Sequence, residues 1–256
     1  MSIRISVITV VLNDVDGLKK TRESLIGQNY ENFEWIVCDG GSSDGVMPYL
    51  QGLTGNVKWV SEVDDGIYDA MNRGVSMCAG EYVVFMNAGD IFFDSNALAQ
   101  VANLLSVDKP EADILFGGAM LSFPESGRSV YRAPRKVERS LWHGLPANHQ
   151  ATFYRKVLLD KTPYDLQYRL CGDYYLAAAL IRSGAHELYL DEPLAIFEVG
   201  GQSYSQRRQL FLEPYRIQRD ILHQPIHYRL ASMAKRFIST VGFVILSQPF
   251  FKNRSK

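Results

Sequence analysis

Trp35-Ile-Val-Cys-Asp-Gly-Gly-Ser-Ser-Asp-Gly45 is an apolar run that stops in a polar, glycine-rich turn. Its first half belongs to a short apolar strand, Glu34–Cys38. Its second half uses residues that tolerate unusual backbone angles and cap helices. The flanking sequence repeats this strand-to-turn-to-helix unit. Upstream, Ile5–Leu12 is short, β-branched and closed by Asn13-Asp14, and Leu18, Arg22 and Leu25 follow at helical spacing before Gly27. Downstream come a strand at Val57–Val60, a helix face of Ile67, Met71, Val75 and Cys78 ended by Gly80, and a strand at Tyr82–Met86. Asp94-Ser-Asn opens a capped helix to Leu105, and Ile114–Phe116 is a fifth strand. Such alternation predicts an α/β fold, with a mainly parallel central sheet and flanking helices.

The second half is less regular. Strands are expected near Ala151–Tyr154, Glu187–Leu190 and Ala195–Val199, with one apolar helix at Asp173–Ser183. After Gly201 the chain turns basic and helical, with Pro225 separating two segments. The chain has 256 residues, 46% hydrophobic and 21% charged, which suits a globular domain and excludes a disordered one. The net charge of −1 hides an asymmetry: carboxylates dominate through residue 113 and cations beyond residue 201. Three cysteines, Cys38, Cys78 and Cys171, none close to another, fit a reducing compartment better than a disulfide framework. Ile3–Leu12 is not expected to be a secretory signal, since it carries Arg4 and ends in Asn13-Asp14 without a small-residue cleavage site, and the uncharged run Phe237–Phe251 falls short of the roughly 20 residues that span a bilayer. A cytoplasmic protein is expected, with no nucleic-acid partner.

Three polar clusters fall just past strand ends: Asn13-Asp14, Asp39–Asp44 and Asn87–Asp90. In open α/β sheets ligands bind at that edge. A carboxylate at Asp39 can accept hydrogen bonds from a base N–H or a ribose hydroxyl, while Ser42, Ser43 and Asp44 can also act only as turn and cap. Asp90 can ligate Mg²⁺ or Mn²⁺, or simply cap the strand. In Asp64-Asp65-Gly-Ile-Tyr-Asp69-Ala-Met-Asn72-Arg73-Gly74, a local ion pair accounts for Asp69 and Arg73, whereas Asn72 is a mediocre helix former and less easily explained. Cys171-Gly-Asp173 opens the apolar helix, where Asp173 is either an N-cap or a general base. His149-Gln150 precedes a strand, and no His/Cys spacing resembles a zinc site.

In that order the motifs resemble bacterial family 2 glycosyltransferases with the GT-A fold, most of all the enzymes of exopolysaccharide and colanic-acid gene clusters. The resemblance runs from residue 3 to about 203. It is carried by Ile5–Asn13, Trp35–Gly45, Ser61–Gly74, Phe85-Met-Asn-Ala-Gly-Asp90, His149-Gln150 with Phe153-Tyr-Arg155, Cys171-Gly-Asp173 and Gly200-Gly-Gln-Ser203. It implies a nucleotide-diphospho-sugar donor, UDP- or GDP-linked, bound by Val11, Asn13, Asp39, Gly41, Asp65, Asn72, Asn87 and Ala88. Asp90 then holds a divalent metal at the diphosphate, and Asp173 deprotonates the acceptor hydroxyl with inversion at the sugar. His149, Gln150, Gly201 and Ser203 would contact the acceptor or the sugar. The family's Asp-x-Asp signature is replaced by Asn87-x-Gly89, which leaves Asp90 as the acid for the metal.

The expected organisation is a glycosyltransferase domain over 1–203, divided into a nucleotide-sugar half (1–113) and an acceptor half (114–203), followed by a basic helical extension over 204–256. Two readings of the extension stand: an interfacial anchor that brings the enzyme to a lipid-linked glycan acceptor at the inner face of the plasma membrane, or helices packed on the domain or a second subunit. A sugar-phosphate nucleotidyltransferase is disfavoured, because Val11–Gly17 has one glycine where a phosphate loop needs several. A non-catalytic nucleotide-sugar-binding regulator or partner subunit is the alternative to catalysis.

Overall fold

A computed structural model describes residues 2–108, 111–199 and 209–247. The first elements are β1 (Ile5–Val11), α1 (Val15–Ile26), β2 (Phe33–Asp39), α2 (Val46–Gln51), β3 (Val57–Ser61), α3 (Ile67–Met77), β4 (Tyr82–Phe85), β5 (Ile91–Phe92) and α4 (Ala97–Asn103). Then come β6 (Ile114–Phe123), β7 (Arg128–Arg132), α5 (Val137–Ser140), β8 (Thr152–Arg155), α6 (Lys156–Lys161), α7 (Gly172–Arg182), β9 (Glu187–Glu198), α8 (Gln209–Asp220) and α9 (Ile226–Ser247). The strands form one sheet in the order β3-β2-β1-β4-β8-β6-β9-β5, with β7 paired to β6. Strands β3, β2, β1, β4, β6 and β9 run one way, and β8, β5 and β7 run the other.

The near-continuous apolar runs are explained by burial on both faces. Val7, Val37 and Val84 point to a layer that holds Leu18 and Leu25 of α1 and Leu98 of α4. Their sequence neighbours Ile8, Ile36 and Val83 point to the other layer, with Met71 and Val75 of α3 and Leu176 of α7. Full burial of each such side chain contributes about 1.5–3 kcal/mol. Helix α3 lies close on β1 because residue 74 is glycine: a Cβ there would come within 2.6 Å of Ile8 Cγ2.

Three of the expected elements differ in extent. Strand β6 runs on to Phe123, since its half-buried second part pairs with both β7 and β9. The two strands expected at Glu187–Leu190 and Ala195–Val199 are one strand, β9, whose register against β6 shifts at Gly117 and Gly118. The helix expected to reach Leu105 stops at Asn103 and widens into a π-helical turn over Leu104–Asp108. Strand β5 went unanticipated because two residues carry no periodicity.

At the edge where β1 and β2 begin, Glu34 is a fully buried carboxylate. It accepts hydrogen bonds from Ser6 Oγ (2.7 Å) and from the amides of Ala79 (2.5 Å) and Gly80 (3.0 Å), and it pairs with Arg4 and Lys58. Burial works to raise its pKa, but the bonds from Ser6, Ala79 and Lys58 outweigh that and leave it below the ordinary value. A carboxyl with a depressed folded pKa stabilises above its unfolded pKa and loses that contribution as pH falls through the folded value. Replacing Glu34 by Ala strands the Ala79 amide, leaves the Gly80 amide with Ser6 Oγ alone and removes the partner of Arg4 and Lys58; it is expected to lower stability by about 2–4 kcal/mol in urea unfolding at neutral pH. The gap between wild type and variant should narrow as pH falls below the ordinary carboxylate pKa of 4.5.

Candidate active site

The parallel strands end at one edge, and their loops lock together there. Asn13 adopts a left-handed backbone (φ 53°). Its side-chain oxygen accepts from Ser43 N (2.8 Å), and its own amide donates to Ser42 Oγ (2.7 Å). Val11 pairs with Asp39 in the β1–β2 register, and Gly40 N donates to Val11 O (3.0 Å). Asp39 is 1% exposed. Its carboxylate accepts from Ser42 N (3.1 Å), Ser42 Oγ (2.5 Å) and Ser61 Oγ (2.6 Å). Gly41 stands at φ +85°, open only to glycine without strain. Val11, Asn13, Asp39 and Gly41 therefore form one rigid loop cluster.

Asp65 and Asn72 are placed differently. The Asp65 side chain is exposed, and it is the backbone N–H that donates to Asp69 Oδ2 (3.2 Å). Asn72 does not present a free amide to a nucleotide: its Nδ2 donates to Tyr164 O (2.9 Å) and its Oδ1 accepts from Tyr164 N (2.9 Å). The expected ion pair of Asp69 with Arg73 is present at 3.4 Å.

The turn after β4 forms a second cluster. Gly89 lies at φ +93°, so a carboxylate-bearing residue at this step of the family signature would be strained. Thr21 of α1 grips the turn, donating to Asp90 O (2.8 Å) and accepting from Gly89 N (3.0 Å), and Ala88 N donates to Val10 O (3.1 Å). Asp90 is 9% exposed, and Gln150 Nε2 donates to its Oδ2 at 3.0 Å. Burial raises the Asp90 pKa against the pull of His149 and Gln150. Asn87 Nδ2 lies 3.2 Å from His149 Nε2, and His149 Nδ1 lies 3.2 Å from Asp173 Oδ2. With Nε2 accepting from the amide, the imidazole proton sits on Nδ1 and is donated to Asp173. Burial alone would lower the His149 pKa, and the carboxylates of Asp173 and Asp90 more than reverse that. Asn87, Asp90, His149, Gln150 and Asp173 are thus one connected group.

Asp173 does not act as an N-cap; that position belongs to Cys171, which makes no side-chain cap bond. While Oδ2 faces His149, Asp173 Oδ1 is buried without a hydrogen-bond partner. Tyr68 and Tyr164 stack beside it with ring centres 4.8 Å apart, and burial together with the Asp173 charge pushes both phenols up. The loop before α7 is held by Glu213 of α8, which accepts from the amides of Arg169 (3.0 Å), Leu170 (2.9 Å) and Cys171 (2.8 Å). Sequence reasoning missed this role; the available signal was an acid, one of two, in a basic stretch. Through these bonds α8 packs on the loop before α7. Among the described residues no helix is long and apolar enough to cross a membrane, and no three His, Cys, Asp or Glu side chains cluster as a metal site. Gly201 and Ser203 lie outside the described residues.

Residues 6–187 match the model of Glycosyl transferase family 2. The chain is 36% identical over 182 residues to an uncharacterised glycosyltransferase of Mycobacterium tuberculosis, covering 69% of each protein. It is 30% identical over 174 residues to a PGL/p-HBAD biosynthesis glycosyltransferase of Mycobacterium bovis, covering 66% of each. Among solved structures, S. aureus TarS in complex with UDP-GlcNAc superposes with a TM-score of 0.69 at 17% identity, over 96% of this chain and 76% of that one. The mannosyltransferase PcManGT of Pyrobaculum calidifontis, in complex with GDP-Man and Mn²⁺, gives 0.65 at 15% identity, over 98% and 82%. The fold is GT-A and the protein is an enzyme of the glycosyltransferase class. The chain belongs to glycosyltransferase family 2.

Replacing Glu213 by Ala removes the acceptor of three amides that precede Asp173. The expected result is a loss of about 2–4 kcal/mol in urea unfolding, with a larger fractional loss in kcat than in donor affinity.

Proposed function

We propose that the protein is an inverting glycosyltransferase that moves one sugar from a nucleotide-diphospho-sugar to a hydroxyl of a lipid-linked glycan acceptor. The work it serves in this reading is cell-surface polysaccharide synthesis of the exopolysaccharide or colanic-acid kind, at the inner face of the plasma membrane. The observation that carries the reading is Asp173: one oxygen is oriented by His149, and the other is buried without a partner. A carboxylate so placed can take the proton of an incoming hydroxyl. As that proton passes to Asp173 Oδ1, the acceptor oxygen bonds to the anomeric carbon. The bond from that carbon to the diphosphate breaks on the opposite face, which inverts the centre.

Asp39, with Val11, Asn13 and Gly41, takes the nucleotide in this reading. Because the Asp39 oxygens already accept from Ser42 and Ser61, a base or ribose hydroxyl must replace one of those bonds. Ala88 and Asn87 carry the wall next to the diphosphate. We assign Asn72 to bracing the Tyr164 loop and Asp65 to the exposed rim. The residues suit a hard divalent cation of the Mg²⁺ or Mn²⁺ kind: one carboxylate, Asp90, stands near two buried amide oxygens without partners, Asn87 Oδ1 and Gln150 Oε1. When bound, the metal would neutralise charge on the departing diphosphate. Gln150 holds Asp90 in position, and His149 holds Asp173, so one dipeptide orients both carboxylates.

Two measurements test this. Asp173→Asn should bind donor as wild type does but lose about 10²–10⁴-fold in kcat; equal turnover in the two proteins removes the base assignment and favours a non-catalytic binding subunit. In a thermal-shift panel of UDP- and GDP-sugars, Mn²⁺ should increase the rise in Tm for the wild type. Asp90→Asn should lose that increment, and an increment that survives the substitution sinks the metal assignment.

A further inference from the structure

Beside Asp173 opens a cleft of about 570 Å³, and every residue lining it lies between Arg132 and Arg236. Among the described residues, none of the proposed nucleotide half contributes, and the cleft meets that half through His149, Gln150 and Asp173. Among the described residues of the lining, Asp173 is also the only carboxylate, whereas four cations face the space: Arg132 at the end of β7, Arg135 after it, and Lys235 and Arg236 on α9. Among the described residues, Arg132, Arg135 and Lys235 form no salt bridge with a carboxylate. The Arg132 Nε is buried without a hydrogen-bond partner. Two of the cations are fixed by other contacts: Lys235 sits over the Trp142 ring at 5.4 Å, and Arg236 donates to the carbonyl of His143.

Positive groups so gathered repel one another. Burial, then the neighbouring Lys235 and Arg135, push His143 down to about 4, and burial with the Arg135 charge lowers Arg132. Burial first, then Arg135 and Arg236, lowers Lys235 as well. A fold holds such a cluster at a cost that a bound anion relieves, and four cations call for more than one negative charge. Phe197, Phe211 and Leu145 supply an apolar wall in the same cleft, suited to a sugar face or a hydrocarbon stem.

We propose that this cleft binds a phosphate or diphosphate group carried by the acceptor, with Arg132, Arg135, Lys235 and Arg236 as its anion-binding residues. The inference rests on the glycosyltransferase reading given above and adds to it the chemistry of the acceptor. Held there, the phosphate places the acceptor beside Asp173.

The test uses the full chain and the double variant Arg135→Gln with Lys235→Gln, both exposed positions outside the catalytic group. Inorganic pyrophosphate is titrated in the presence of EDTA and of the nucleoside diphosphate that most raises Tm. The wild type should bind pyrophosphate, and the double variant should bind it roughly tenfold or more weakly while its nucleotide affinity stays within about twofold. Unchanged pyrophosphate affinity overturns the proposal, and so does a parallel loss of nucleotide affinity, which would give the basic wall to the donor. If no nucleoside diphosphate binds the wild type, the donor reading fails separately, and pyrophosphate alone judges the anion site. Phosphatidylcholine vesicles with and without a long-chain prenyl diphosphate identify the source. Capture by the doped vesicles alone, lost in the double variant, supports a lipid-linked phosphate; pyrophosphate binding without capture supports a water-soluble phosphorylated acceptor.

Discussion

Strand β8 enters the sheet antiparallel to β4, with Val84 opposite Phe153 and Val83 opposite Tyr154. The reversed direction has a geometric consequence. The segment that leads into β8 must lie beside the segment that leaves β4, so His149-Gln150 meets Asn87–Asp90. Had β8 joined parallel, the dipeptide would stand at the opposite edge, next to Glu34. Everything about the connected group of Asn87, Asp90, His149, Gln150 and Asp173 depends on this one pairing.

Electrostatics divide the molecule along the same line. At the starting edge of β1 and β2, the buried Glu34 is fully engaged by hydroxyl, amides and two cations, which makes it structural. At the finishing edge, the buried Asp90 and the half-buried Asp173 have fewer partners, and oxygens of Asp173, Asn87 and Gln150 are left without any. An unpaired buried polar atom costs about 1–3 kcal/mol, so a fold that retains several in one place retains them where a ligand can satisfy them. The contrast between the two edges separates a carboxylate whose oxygens are all engaged from one that keeps an oxygen without a partner.

The basic extension joins the site instead of trailing from it. Glu213 on α8 fixes the loop ahead of Asp173, Gln218 donates to Ser232 to hold α9 against α8 (2.8 Å), and α9 carries Lys235 and Arg236 into the cleft. A face of α9 with Ile226, Leu230, Phe237 and Ile238 remains exposed. Docking on the domain and presenting an apolar face outward are compatible on one helix, since they use different sides of it.

Sequence alone determined the β-α alternation of the first half, because strands buried on both faces and helices buried on one leave different periodicities in the residues themselves. It likewise determined that Asp39 and Asn87–Asp90 end strands, because glycine, serine and aspartate mark where an apolar run must stop. Tertiary structure decided which polar residues share a cleft. The amide of Asn72 went to Tyr164, and Asp173 found His149 across the chain; both are contacts between distant segments, and no local pattern encodes them. It also decided that the backbone at Gly89 takes a positive φ, and that cations scattered from Arg132 to Arg236 face one space. Local preference is written residue by residue, whereas the meeting of two loops depends on the direction and register of the strands that carry them.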